Sequence, residues 1–426
     1  MKVEVYPSSL KGVLHAPGSK SISQRFAAAA LLSKGETTIS KFPDSADCKA
    51  ALHVVQALGA VVTKQKNDVL IRGGFPFNTN AGIKMPKSEI NCGESGLSSR
   101  MFTPIAALYD EKIRVKGEGS LLVRPFTEFD VVLPALGADC KTSNGLLPLE
   151  VTGPLKGGEA SMDGSLSSQF LTGLLMALPV AASDSKIHVH ALKSSPYVQM
   201  TLEVAAKFGI KITQEAFETF SIQGKQEYKA TSVTVPGDWS GAAFLLVAAA
   251  IAADQGLEVA DLSQEITQAD NRIIEVLRLA GIEHTVYSNS VFVKKSEIQA
   301  FEFDASDCPD LVPPIVALAA YGNGMSVIKG AKRLVHKESN RAKALQDEFA
   351  KANIRIVLRQ DELIVYPSPI RPAIINSHND HRIAMAAALL ALEGDKIVIQ
   401  GAECINKSYP EFFNDLVKAG AKLNIK

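Results

Sequence analysis

Six times along this chain a Gly/Ser/Asp/Asn-rich turn runs into an Ala/Leu-rich segment, and that recurrence limits the fold more than any other feature. The six stretches are PGSKSISQRFAAAALL, CGESGLSSRMFTPIAAL, DGSLSSQFLTGLLMALPVA, PGDWSGAAFLLVAAAIAA, SDCPDLVPPIVALAAYG and HNDHRIAMAAALLALEG. Each is followed by a more polar, amphipathic segment ending at Gly59, Gly137, Gly209, Gly281, Asn353 or Gly420, with successive separations of 78, 72, 72, 72 and 67 residues. Gly or Asn is what a left-handed helix C-cap requires. The alternating β-branched run after each, such as Ala60–Thr63, Ile210–Thr213 and Ile354–Leu358, reads as a strand. The unit is thus a mixed α/β repeat of about 70 residues with two helices. The first helix is apolar nearly all round and must be buried; the second keeps a polar face and lies outside. Six units exceed one core, so two groups of three are expected, with a seam near Thr231–Gly237. The pattern leaves open which group the first residues join.

Composition narrows the function. The 426 residues carry 45 basic and 45 acidic side chains, which excludes a general nucleic-acid or membrane-surface binder and requires any basic site to be local. Five scattered cysteines without a CxxC indicate neither a disulfide framework nor a zinc site. The start, MKVEVYPSSL, lacks a signal-peptide h-region, and the apolar run Phe244–Ala253 is too short to span a bilayer. A soluble, cytoplasmic protein is expected.

Helix N-termini carry unpaired N–H groups and attract anions. If the six buried helices point the same way within each half, their turns bring together Lys20, Ser21 and Arg25, Arg100, the run Ser167-Ser168-Gln169, Asp310 and Arg382. Further basic motifs lie at Arg124-Pro125, at Lys337-Glu338-Ser339-Asn340-Arg341, at Asn379-Asp380-His381-Arg382 and at Asn406-Lys407-Ser408-Tyr409-Pro410. So many cations beside helix starts in a protein of zero net charge suit a substrate with several phosphates or carboxylates. Other chemistries find no support. Ser19 stands where a P-loop needs Gly before Lys20, no GxGxxG opens a helix after a strand, and no GxSxG elbow is present. His188 with His190, and His378 with His381, lack further ligands at metal-site spacing.

These residues resemble the 5-enolpyruvylshikimate-3-phosphate synthases, or 3-phosphoshikimate 1-carboxyvinyltransferases, over the whole chain. PGSKSISQR and CGESGLSSR look like the family's first two signatures. Arg124-Pro125, the SSQF at Ser167–Phe170, the SSPY at Ser194–Tyr197, the CPD ending at Asp310, KESNR, NDHR and NKSYP match in order. The resemblance implies a two-lobed fold of six βαβαββ repeats, three per lobe, an inside-out α/β barrel. One lobe would hold 1–19 and 235–426, the other 20–234, with the active site in the cleft between them. The implied reaction moves the enolpyruvyl group of phosphoenolpyruvate to the 5-hydroxyl of shikimate 3-phosphate and releases phosphate. It needs no metal or other cofactor, and the expected form is a monomer acting on two small molecules.

By the same resemblance, shikimate 3-phosphate contacts Lys20, Ser21, Arg25, Ser167, Ser168, Gln169, Ser194, Tyr197, Asp310 and Lys337. Phosphoenolpyruvate contacts Lys20, Gly96, Arg124, Gln169, Arg341, Arg382 and Lys407. Asp310 deprotonates the 5-hydroxyl, and Glu338 and Lys20 are the candidates for moving the methylene proton. A carboxylate among so many cations should have a depressed pKa. The family is the target of glyphosate, which occupies the phosphoenolpyruvate position beside the glycine matching Gly96. Three positions depart from the family pattern: Glu94 for Asn, Leu97 for Thr, and Asn340 for Asp. A carboxylate at 94 repels phosphoenolpyruvate unless it is turned away or paired. The rival readings are the enolpyruvyl transferase acting on UDP-N-acetylglucosamine and an inactive relative serving as a binding module. The first has an AKN-type first motif and usually a loop cysteine that Lys116–Val123 lacks; the second is disfavoured because the reactive set is present.

Overall fold

The computed structural model describes residues 1–74 and 87–426. Twelve α-helices over these residues fall into six pairs: α1 (Lys20–Leu32) and α2 (Ala46–Ala57), α3 (Gly96–Ala106) and α4 (Phe129–Ala135), α5 (Gln169–Ala177) and α6 (Ser195–Lys207), α7 (Trp239–Ala252) and α8 (Ile273–Leu279), α9 (Val312–Ala319) and α10 (Arg341–Lys351), α11 (His381–Ala391) and α12 (Phe412–Ala419). The first of each pair is buried along almost its whole length, and all fourteen residues of α7 are inside. Phe244, Leu245, Leu246, Val247 and Ile251 each contribute roughly 1.5–3 kcal/mol on burial. In the other member of each pair, buried and exposed positions alternate with helical period. Past each amphipathic helix the backbone enters positive φ, from 72° at Gly281 and Asn353 to 113° at Gly420, and turns into a strand.

The described strands form six four-stranded sheets. Gly158–Asp163 is typical. It lies parallel to Ser185–His190 across α5, which pairs antiparallel with Thr219–Ile222, itself a hairpin partner of Ile212–Glu215. Two sheets exchange strands. Gly12–His15, which precedes α1, lies parallel to Leu257–Ala260, while Ser232–Thr234, which precedes α7, lies parallel to Gly35–Ser40. Lys2–Tyr6 is inserted antiparallel between Ile397–Gln400 and Lys422–Ile425.

These pairings divide the chain into two compact units. Met1–Ser19 with Pro236–Lys426 is termed the C-terminal unit, and Lys20–Val235 the N-terminal unit. Val235 closes the latter, its N–H donating to Ser40 O at 2.9 Å. Within the N-terminal unit α3 packs on α1 and α5; within the C-terminal unit α7, α9 and α11 pack on one another. Each set of buried helices carries candidate site residues at its N-terminal ends.

Candidate active site

In the N-terminal unit α1 opens with Lys20, whose Nζ donates to Asp47 Oδ2 of α2 at 3.0 Å. One turn on, Arg25 is 1% exposed. Its Nε donates to Thr201 Oγ1 (2.9 Å), its Nη1 to Ser21 O (3.0 Å), and its Nη2 to Thr172 Oγ1 (3.3 Å) and Tyr197 O (3.2 Å). All four acceptors are neutral. Burial pulls the guanidinium down to about 10, because a charge without a counter-charge is disfavoured away from water. Gln24 joins α1 to the cap of α3, its Oε1 accepting Ser95 Oγ (3.0 Å) and Ser98 Oγ (2.8 Å).

A second cluster surrounds Gly96, the first residue of α3. Arg100 Nη1 donates to Gln169 Oε1 (3.0 Å) and its Nη2 to Pro125 O (3.1 Å), with the guanidinium stacked over Phe126 and Phe170. Arg124 Nη2 donates to Ser120 Oγ at 3.3 Å. Ser167 Oγ accepts from Gln169 N at the start of α5 (3.3 Å), and Ser168 is the buried N-cap residue. Ser194, also buried, holds a left-handed φ of 59° before α6, a conformation that non-Gly residues keep mainly where the surroundings enforce it. Glu94 Oε2 accepts Ser120 N at 3.2 Å. Leu97 is packed inside.

In the C-terminal unit Asp310 sits in the turn before α9. Its Oδ1 accepts Arg341 Nη1 (2.7 Å) and Lys337 Nζ (3.4 Å); its Oδ2 accepts Arg382 Nη2 (3.1 Å). Burial alone would raise its pKa, but Arg382, Lys337 and Arg341 outweigh it and hold the carboxyl well below the usual range, as the charge pattern of the sequence predicts. The carboxylate of Glu338 and the buried carboxylate of Asp380 complete the ring around Arg341. Burial opposes the charge on Arg341, yet the three carboxylates raise its pKa. Arg382 Nη2 also donates to Ser240 Oγ (2.5 Å), and Lys407 Nζ to Asn379 O (2.6 Å). Asn340 caps α10 by accepting Lys343 N at 3.2 Å, which an Asp there would do with a further charge.

The sequence-predicted residues thus gather within their own units. Lys20, Ser21, Arg25, Gly96, Arg124, Ser167, Ser168, Gln169, Ser194 and Tyr197 belong to the N-terminal unit, and Asp310, Lys337, Glu338, Arg341, Arg382 and Lys407 to the C-terminal one. Sequence reasoning missed Asp47, Thr172, Thr201 and Asp380 as partners of the cations. An acid at a helix cap or first turn carries no mark that it also holds an arginine or lysine, and two threonines inside helices carry no signal at all.

Comparison with known proteins agrees with this layout. A family profile described as EPSP synthase (3-phosphoshikimate 1-carboxyvinyltransferase) matches residues 5–416. The 3-phosphoshikimate 1-carboxyvinyltransferase of Clostridium kluyveri is 35% identical over 99% of this chain and 98% of its own. That of Methanosarcina mazei is 36% identical over 99% of each. Among solved structures, EPSP synthase from Acinetobacter baumannii superposes with a TM-score of 0.83 at 25% identity, covering 100% of both chains. The enolpyruvyl transferase NikO from Streptomyces tendae shares the fold at a TM-score of 0.77 and 18% identity, over 99% of this chain and 98% of its own. The full-length match, the six repeats and the ordered cation motifs agree: this chain belongs to the EPSP synthase family, the 3-phosphoshikimate 1-carboxyvinyltransferases.

Proposed function

We propose that this chain transfers the enolpyruvyl group of phosphoenolpyruvate to the 5-hydroxyl of shikimate 3-phosphate and releases phosphate, acting as a monomer in the cytoplasm. The observation that carries the chemistry is Asp310, a carboxylate kept ionised by Arg341, Arg382 and Lys337 beside a second carboxylate, Glu338. In this reading Asp310 takes the proton of the 5-hydroxyl as that oxygen attacks C2 of phosphoenolpyruvate, while Glu338 or Lys20 protonates the methylene carbon. The resulting tetrahedral adduct then loses a methyl proton and phosphate, restoring the double bond. Shikimate 3-phosphate is assigned to Lys20, Ser21, Arg25, Ser167, Ser168, Gln169, Ser194, Tyr197, Asp310 and Lys337. Phosphoenolpyruvate is assigned to Lys20, Gly96, Arg124, Gln169, Arg341, Arg382 and Lys407. The arginines suit carboxylate and phosphate because their planar fork binds both oxygens at once.

The test is phosphate release from phosphoenolpyruvate with shikimate 3-phosphate, compared with UDP-N-acetylglucosamine. Turnover is expected with the first acceptor and none with the second. Release with the sugar nucleotide alone would overturn the proposal, and release with neither would favour a binding module.

A further inference from the structure

Neither the substrate contacts nor the proton steps assigned above use Asp380, yet two of the proposed phosphoenolpyruvate arginines depend on it. The residue is 0% exposed. Its Oδ2 accepts Arg341 Nε at 2.8 Å and Ser339 Oγ at 3.0 Å; its Oδ1 accepts Arg341 Nη2 at 3.3 Å and the backbone N–H of Arg382 at 3.0 Å. An ionised carboxylate has about four lone-pair sites, so these four bonds leave none for a ligand. The same group caps α11. One carboxylate therefore fixes the guanidinium plane of a residue on α10 against the first turn of α11, where Arg382 begins its own reach. The side-on edge of Arg341 is thereby used up, and its Nη1 points instead to Asp310. Asp310, 22% exposed at its side chain, is the exchangeable partner; Asp380 is the fixed one.

We propose that Asp380 is a positioning residue for phosphoenolpyruvate, locking Arg341 and Arg382 into one rigid pair of anion-binding arms. The proposal rests on the function given above. Charge counting predicts the opposite behaviour: removing a negative charge beside two arginines should strengthen anion binding. Positioning predicts weaker binding, because a guanidinium freed from its fork no longer presents its donors in the orientation the anion needs.

The substitution Asp380→Asn separates the two. Asn Oδ1 can still accept Arg382 N and keep the cap, while its amide N–H groups face Arg341 Nε and break the fork. KM for phosphoenolpyruvate is expected to rise about tenfold or more, KM for shikimate 3-phosphate to stay within about threefold, and kcat to fall less than KM rises. In an Arg341→Lys background the same change should add less than about twofold, because residues acting through one another are not additive. Ser339→Ala, which removes one bond to Oδ2, gives a milder version of about two- to threefold and serves if Asp380→Asn does not fold. An unchanged or lowered KM for phosphoenolpyruvate in Asp380→Asn would overturn the proposal. So would equal rises for both substrates, full additivity with Arg341→Lys, or, where Asp380→Asn cannot be folded, an unchanged Ser339→Ala. A wild-type enzyme without turnover would remove the functional reading and this proposal together.

Discussion

Arg25 of the N-terminal unit and Arg341 of the C-terminal unit are equally buried, each 1% exposed, but their surroundings are opposite. Arg25 is held by two threonine hydroxyls and two carbonyls, with no carboxylate partner among the described residues. Arg341 is held by Asp310, Glu338 and Asp380. The fold gives one cation carboxylate counter-charges and leaves the other without one among the described residues. Burial without a counter-charge disfavours the Arg25 cation and pulls it down to about 10. A guanidinium does not shed its proton, so that cost stays with the folded state until an anion relieves it. An anion reaching Arg25 therefore supplies a counter-charge that no described carboxylate provides. One reaching Arg341 must take the place of Asp310.

The largest expected effect follows from that exchange. Asp310→Asn should lower turnover by about 10²–10⁴-fold, the usual contribution of a general base, while shikimate 3-phosphate binding stays within about tenfold. It should also tighten binding of an unreactive analogue such as phospholactate, because Arg341 and Arg382 lose a competing carboxylate. Steady-state kinetics with calorimetry of the analogue reads both. A variant retaining a tenth of wild-type turnover removes the base role, and weaker analogue binding removes the competition.

Stability should separate the two arginines next. Arg341→Met strands three carboxylates and is expected to cost about 3–5 kcal/mol. Arg25→Met removes an uncompensated charge, and the groups it leaves can pair with one another, since Thr172 Oγ1 lies 3.2 Å from Thr201 Oγ1 and Thr201 donates to Tyr197 O at 2.9 Å. Its unfolding free energy should stay within about 1 kcal/mol of wild type while shikimate 3-phosphate binding is lost. Urea melts of both variants decide. If Arg25→Met is as unstable as Arg341→Met, the contrast between the units fails.

Acid sensitivity should be a C-terminal-unit property. Asp310 has a folded pKa well below its unfolded value of about 3.9. Its contribution is therefore fully present above about pH 4 and is lost as pH falls through the folded value. Arg382, Lys337 and Arg341 make the pair interactions that are lost, while Glu338, a like charge, opposes them. Between pH 6 and pH 3 the wild type should lose more stability than Asp310→Asn. Equal losses would show that these pairs do not govern the acid limb.

The two units also differ in how much the sequence reveals. The helix pairs were legible because each ends in a Gly or Asn that the backbone uses at positive φ. Lys20, Arg25 and Arg382 were legible as cations at helix starts. The exchange of Gly12–His15 and Ser232–Thr234 was not readable from periodicity, since either strand satisfies the same alternation in either sheet. Asp380 and Asp47 were hidden because an acid at a cap or first turn is already explained by the helix dipole. Glu94 shows the limit most clearly. Its type suggests repulsion, but its effect depends on where the carboxylate points, and Ser120 N takes it up.

The smallest expected effect tests the N-terminal unit at Gly96. A Cβ there would lie 2.9 Å from Arg124 Nη1, 3.1 Å from Arg100 Nη1 and 3.4 Å from Gln169 Oε1. Arg100 cannot give easily, being bonded to Gln169 and Pro125 O and stacked on two rings. Arg124, tethered by its bond to Ser120, is the group expected to move by a few tenths of an ångström. That displacement weakens any anion at this position alike, so KM for phosphoenolpyruvate in Gly96→Ala should rise by about two- to fivefold. The methyl itself should discriminate, intruding on the longer glyphosate and sparing the shorter substrate. The ratio of the glyphosate inhibition constant to the phosphoenolpyruvate KM should therefore rise by about tenfold or more. If both constants rise in proportion, the methyl acts only through the arginines, and the steric account of this position is wrong.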